Sequence, residues 1–82
     1  MKIVYESEKY QVKKYTAEPV YMVVDKAAKE FLVADGRLAQ TVRDTLEVET
    51  PLVDITFDGL MHLGRQYGQV ESLHQRDARG GE

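Results

Sequence analysis

Residues 20–25, Val-Tyr-Met-Val-Val-Asp, are apolar at every position until Asp25. A half-buried strand alternates apolar and polar. A run apolar on both sides suits a central strand, or one whose second face a partner covers. Such a segment needs strands beside it and cover above it. Candidates precede it. Residues 2–6, Lys-Ile-Val-Tyr-Glu, are a short β-prone run, and Ser7, Glu8 and Lys9 make a turn. Residues 10–15 set Tyr10 and Val12 on one side and Lys13 and Tyr15 on the other. Thr16 to Pro19 form a second break, because Pro19 has no N–H to give a ladder.

Residues 26–36 admit two readings. Lys26-Ala27-Ala28-Lys29-Glu30 is helix-forming composition, and one helix over 26–47 keeps a helical spacing. Against it, Gly36 would fall mid-helix, and Phe31-Leu32-Val33-Ala34 is a compact apolar run closed by Asp35-Gly36. The hairpin of strands 20–25 and 30–34 is preferred. A helix over 36–48 follows, with Asp35 as N-cap and Leu38, Ala39, Val42, Thr45 and Leu46 on one face. A second helix over 51–67 starts at Thr50-Pro51. Its expected apolar arc is Leu52, Val53, Phe57, Leu60, Leu63 and Tyr67, with Asp54, Asp58, His62 and Arg65 on the solvated side. A competing hairpin turns at Asp58-Gly59, but the arc persists past Gly59. Beyond Gly68 the pattern fades. The expectation is one domain over 1–70, a flexible C-terminal tail over 71–82, and an α+β fold. A small antiparallel sheet of three to four strands is followed by two helices packed on one face.

Composition narrows the function. The 82 residues hold no cysteine, which excludes a disulfide framework, a thiolate metal site and a cysteine nucleophile. No apolar run approaches the roughly 18 residues of a membrane span, and the N-terminus does not read as a signal peptide. A soluble, cytoplasmic protein is expected. Residues 1–29 carry six Lys against four acids, and residues 30–63 carry two Arg against seven acids. The acidic middle opposes phosphate, hence nucleic acid.

Candidate chemistry is sparse. Asp54, Asp58 and His62 stand at i, i+4 and i+8, a spacing that stacks metal-ligand types along one helix face, yet no fourth ligand accompanies them. His74 reads as a tail residue. No nucleophile–base pair, paired catalytic carboxylates or phosphate-cradling glycine loop assembles, so no catalytic residue, metal or cofactor is expected. Strand, helix and helix over 30–67 also match the element order of a ribbon-helix-helix DNA-binding regulator. The strand is apolar and flanked by acids, and Glu47, Glu49 and Asp54 crowd the second helix start.

The runs Val23-Val24-Asp25-Lys26, Phe31 to Ala34, Asp35-Gly36, Leu38-Ala39 and Phe57-Asp58-Gly59-Leu60-Met61 resemble a small bacterial family of unknown function, over about residues 3–61. The resemblance implies the hairpin over 20–34 and carries no functional residue. What remains is a non-catalytic interaction or regulatory protein, as a homodimer or as an adaptor on a larger protein. Tyr5, Tyr21 and Val23 are the expected interface, because two helices cover only one side of the sheet.

Overall fold

In a computed structural model, which describes residues 1–48 and 50–73, turn chemistry sets the strand ends. The Ser7 hydroxyl accepts the N–H groups of Lys9 and Tyr10 at 3.3 and 3.1 Å. This closes β1 (Lys2–Glu6) onto β2 (Tyr10–Lys14). Asp25 Oδ1 accepts the Ala28 N–H at 3.1 Å, and Lys29 adopts the left-handed conformation at φ 55°. The chain thereby reverses from β3 (Tyr21–Asp25) into β4 (Glu30–Ala34). The hairpin reading of 20–34 holds, and the long helix over 26–47 does not form. Helices α1 (Gly36–Thr45) and α2 (Thr50–Gln66) follow, and then a short strand, β5 (Val70–Ser72). Asp35 occupies the N-cap position of α1 in extended backbone, but its side chain makes no capping bond.

The fold is α+β, with five strands where three to four were expected. Their order is β1-β2-β3-β4-β5, each antiparallel to the next. Order therefore does not end at Gly68. Gly68 takes φ 70°, the Gln69 N–H donates to the Gly64 carbonyl at 2.8 Å, and Val70 pairs with Leu32. Three residues with one strong β-former carry no local signal, so β5 exists because β4 offers it an edge. Residues 74–82, His74 among them, lie outside the described residues.

Register decides which side is covered. Val12, Val23 and Leu32 lie abreast across β2, β3 and β4, and Tyr21 lies opposite Ala34. These side chains meet Ala39 and Val42 of α1 and Val53, Phe57 and Met61 of α2 in the core. Phe57 takes the rings of Tyr5 and Tyr10 edge-on, with centroids 6.0 and 5.6 Å away. The expected interface is thereby corrected. Val23 is fully buried, Tyr21 is only 7% exposed, and Tyr5 packs against the same core. The helices cover the side expected to be bare. Strand alternation divides β3 into two sets without saying which set the helices choose. In β1 the register shifts between Ile3 and Tyr5, so Ile3 pairs with Lys13 and Tyr5 with Val12, on opposite sides of the sheet.

α2 is rotated relative to the expected arc. Among the described residues of α2, Val53, Phe57 and Met61 carry the buried side chains, whereas Leu52 is 52% exposed and Leu63 49%, and Tyr67, just past the helix, is 75% exposed. The two helix glycines differ. A Cβ on Gly64 would stand 2.8 Å from the Val70 side chain and 3.4 Å from Leu32. Its absence lets α2 lie close against β4 and β5. A Cβ on Gly59 would meet nothing within 4 Å.

Candidate interaction surfaces and the polar seam

The carboxylates expected on the solvated side of α2 instead tie the helix to the first hairpin. Asp54 Oδ1 accepts the hydroxyls of Tyr5 and Ser7, both at 2.9 Å. Asp58 accepts the Tyr10 hydroxyl through one oxygen and pairs with Lys9 Nζ at 3.0 Å through the other. One turn past Met61, Arg65 reaches Glu30 at 2.7 Å and Asp25 at 3.2 Å. Lys26 spans the β1–β2 and β3–β4 turns, pairing with Glu6 at 2.7 Å and donating to the Ser7 carbonyl at 2.6 Å. His62 stays exposed beside Gln66. Of the i, i+4, i+8 trio, two members are engaged with tyrosine, serine and lysine. Among the described residues no three His, Asp or Glu side chains converge as a metal requires.

The seam makes stability depend on pH. The Tyr10 hydroxyl and Lys9 hold the Asp58 carboxyl below its ordinary value. Burial, then the bond to Asp58, pushes the Tyr10 phenol above its ordinary value. For Asp58 the folded pKa lies below the unfolded one, so its contribution is present at neutral pH and disappears as pH falls through about 4 and below. For Tyr10 the folded pKa lies above the unfolded one, so its contribution is present below about pH 10 and drains away above it. Urea midpoints measured from pH 3 to 11 are expected to plateau near neutrality and fall at both ends. Asp58→Asn should flatten the acid limb and Tyr10→Phe part of the alkaline limb. Midpoints flat across the whole range would mean that these bonds add nothing to the folded state.

Two apolar surfaces remain. On the sheet, the side away from the helices carries Ile3, Met22 and Val33, with Ile3 51% and Val33 39% exposed. Phe31 shares that side yet is 1% exposed. On α2, Leu52, Ile55, Gly59 and Leu63 recur every three or four residues, facing away from the core, and Ile55 is 65% exposed. Sequence reasoning missed this second stripe because it drew the arc wide enough to include Leu52 and Leu63 and omitted Met61. The tighter set of 53, 57, 61 and 64 was the better signal, since it leaves the other apolar residues in need of a partner.

The ribbon of a ribbon-helix-helix dimer needs a strand with an unpaired edge. β4 is paired on both edges, by β3 and by β5. Among the described residues no helix is long and apolar enough to cross a membrane. No family model, curated protein or solved structure matches the chain, so the family resemblance rests on the short runs alone.

Proposed function

We propose that this chain is a non-catalytic interaction protein that works as a homodimer, joined through the outer face of α2. The carrying observation is Gly59. A glycine in a helix interior costs about 1 kcal/mol relative to alanine, and among the described residues nothing lies within 4 Å of where its Cβ would stand. Large apolar side chains flank it at Leu52, Ile55 and Leu63. A second α2 crossing at Gly59 uses the open space and covers those neighbours.

The stripe suits a second copy because it is self-complementary. An antiparallel pair with its two-fold axis at Gly59 sets Ile55 of each copy against Leu63 of the other. Sheet edges are poorer joints. β1 is irregular and begins with Lys2, and β5 is three residues long, both features that discourage edge pairing. The seam carboxylates and phenols, engaged with one another, support a role without catalysis.

A pair of 17-residue helices covers less than the roughly 1,600 Å² of a standard interface, so association in the micromolar range is expected. Sedimentation equilibrium should show a mass rising with concentration from 9.4 kDa toward twice that. Ile55→Glu should hold the chain monomeric and folded, whereas Met22→Glu on the sheet should leave association intact. A mass fixed at the monomer value rejects the homodimer. Association that survives Ile55→Glu and fails in Met22→Glu moves the joint to the sheet.

A further inference from the structure

A cavity of about 690 Å³ lies between α1 and the connection from β2 to β3, away from the α2 stripe. Lys14 and Tyr21, cross-strand neighbours, line one end. Gly36, Gln40 and Arg43 line it along α1, and Glu18 lines it from the connection. Three features set this cavity apart from an ordinary surface depression.

First, Tyr21 is 7% exposed and its hydroxyl has no hydrogen-bond partner among the described residues. No fully buried side-chain oxygen among those residues lacks a partner. The hydroxyl is therefore not sealed away from solvent, and Tyr21 is one of the residues that line the cavity. A largely buried phenol whose hydroxyl bonds only to solvent can exchange that water for an acceptor on a ligand. Second, Lys14 and Arg43 form no ion pair among the described residues, unlike Lys9, Lys26 and Arg65. They outnumber Glu18 in a chain of net charge −3. Third, the Asp35 side chain makes no capping bond to α1, which leaves first-turn N–H groups of the helix without a side-chain acceptor, and Gly36, the first residue of the helix, lines the cavity. Tyr21 lies opposite Ala34, two residues before Gly36.

We propose that this cavity binds a small polyanion, a molecule carrying two or more carboxylate or phosphate groups. One acidic group sits at the Gly36 end, accepting from the Tyr21 hydroxyl and the first-turn amides of α1 and neutralised by Lys14. Gly36 and Arg43 are seven residues apart on one helix face, a span of about 10 Å. Arg43 therefore holds a second acidic group at the far end. Gln40, between them, supplies a polar contact along the ligand. The pairing of a hydroxyl donor with two separated cations selects for shape as well as charge.

The experiment is a titration of the full chain, followed by amide NMR, with citrate as the polycarboxylate and pyrophosphate as the polyphosphate. Sodium chloride at matched ionic strength is the control. Saturable shifts at Gly36, Arg37 and Tyr21 with citrate, pyrophosphate or both are expected, and whichever saturates at lower concentration names the acidic group. Arg43→Ala should weaken binding about tenfold, as expected for a lost charge-assisted contact. Tyr21→Phe should weaken it about threefold or more while leaving the spectrum folded. Glu18→Gln should tighten it. Arg37→Ala, on α1 but outside the cavity lining, should change little. Shifts no larger or more saturable than those in sodium chloride overturn the proposal. So does binding indifferent to Tyr21→Phe and lost equally through Arg37→Ala, because that pattern is diffuse attraction to surface charge.

Discussion

Val23→Glu should unfold the chain rather than separate two copies. Val23 is fully buried in the middle strand, between Val12 and Leu32 and under the helices. The substitution removes about 1.5–3 kcal/mol of apolar burial and asks a carboxylate to leave water without a partner, a penalty of several kcal/mol more. A chain of this length has a total stability of about 4–12 kcal/mol. The variant should show no cooperative thermal transition at neutral pH. Partial recovery near pH 4, where the new carboxyl is protonated, would identify charge burial as the cause. A folded Val23→Glu variant with altered mass would mean that the helices cover the other side of the sheet.

Phe57→Ala should cost about 3–5 kcal/mol, the range for large aromatic truncations in a core. Phe57 is fully buried and takes both Tyr5 and Tyr10 edge-on. Those tyrosines also bond to Asp54 and Asp58, one residue or one turn along α2 from Phe57. Removing the ring leaves a hole beneath the seam and loosens phenols that the seam needs in place. The loss should therefore exceed that for Phe57→Leu, which keeps most of the volume and should cost about 1.5 kcal/mol or less. Urea denaturation monitored by circular dichroism gives both values. Equal losses for the two variants would show that the aromatic ring, and not the volume it fills, carries the contribution.

The first four strands were legible because each is a run of β-formers ended by a side chain with turn chemistry, Ser7 and Asp25 above all. The two helices were legible from their spacing and from the Asp35-Gly36 and Thr50-Pro51 starts. Faces were harder. Alternation in β3 and β1 sorts residues into two sets, and only the third dimension says which set meets α1 and α2. Asp54 and Asp58 looked solvated because their partners, Tyr5, Ser7 and Tyr10, lie nearly fifty residues earlier. No local pattern announces a bond of that reach. The groove at Tyr21 had no sequence signal at all. Lys14, Tyr21 and Arg43 share no spacing, and only the register of β2 with β3 and the return of α1 over the sheet bring them together.

The irregularity in β1 also governs how this chain can change length. In β3 or β4, adding or deleting one residue would reverse every following side chain in the strand, exchanging core positions such as Val23 and Leu32 for outward ones. β1 already absorbs one odd residue, at the edge of the sheet, and still delivers Tyr5 to Asp54. Single-residue variation is therefore tolerable ahead of Tyr5, where it is taken up before the first side chain that matters to the core. Across the two inner strands only changes of two residues preserve the pattern, and the turn from Lys26 to Lys29 resists even those, because Lys26 binds it to Glu6 and Ser7 and Asp25 closes it on Ala28.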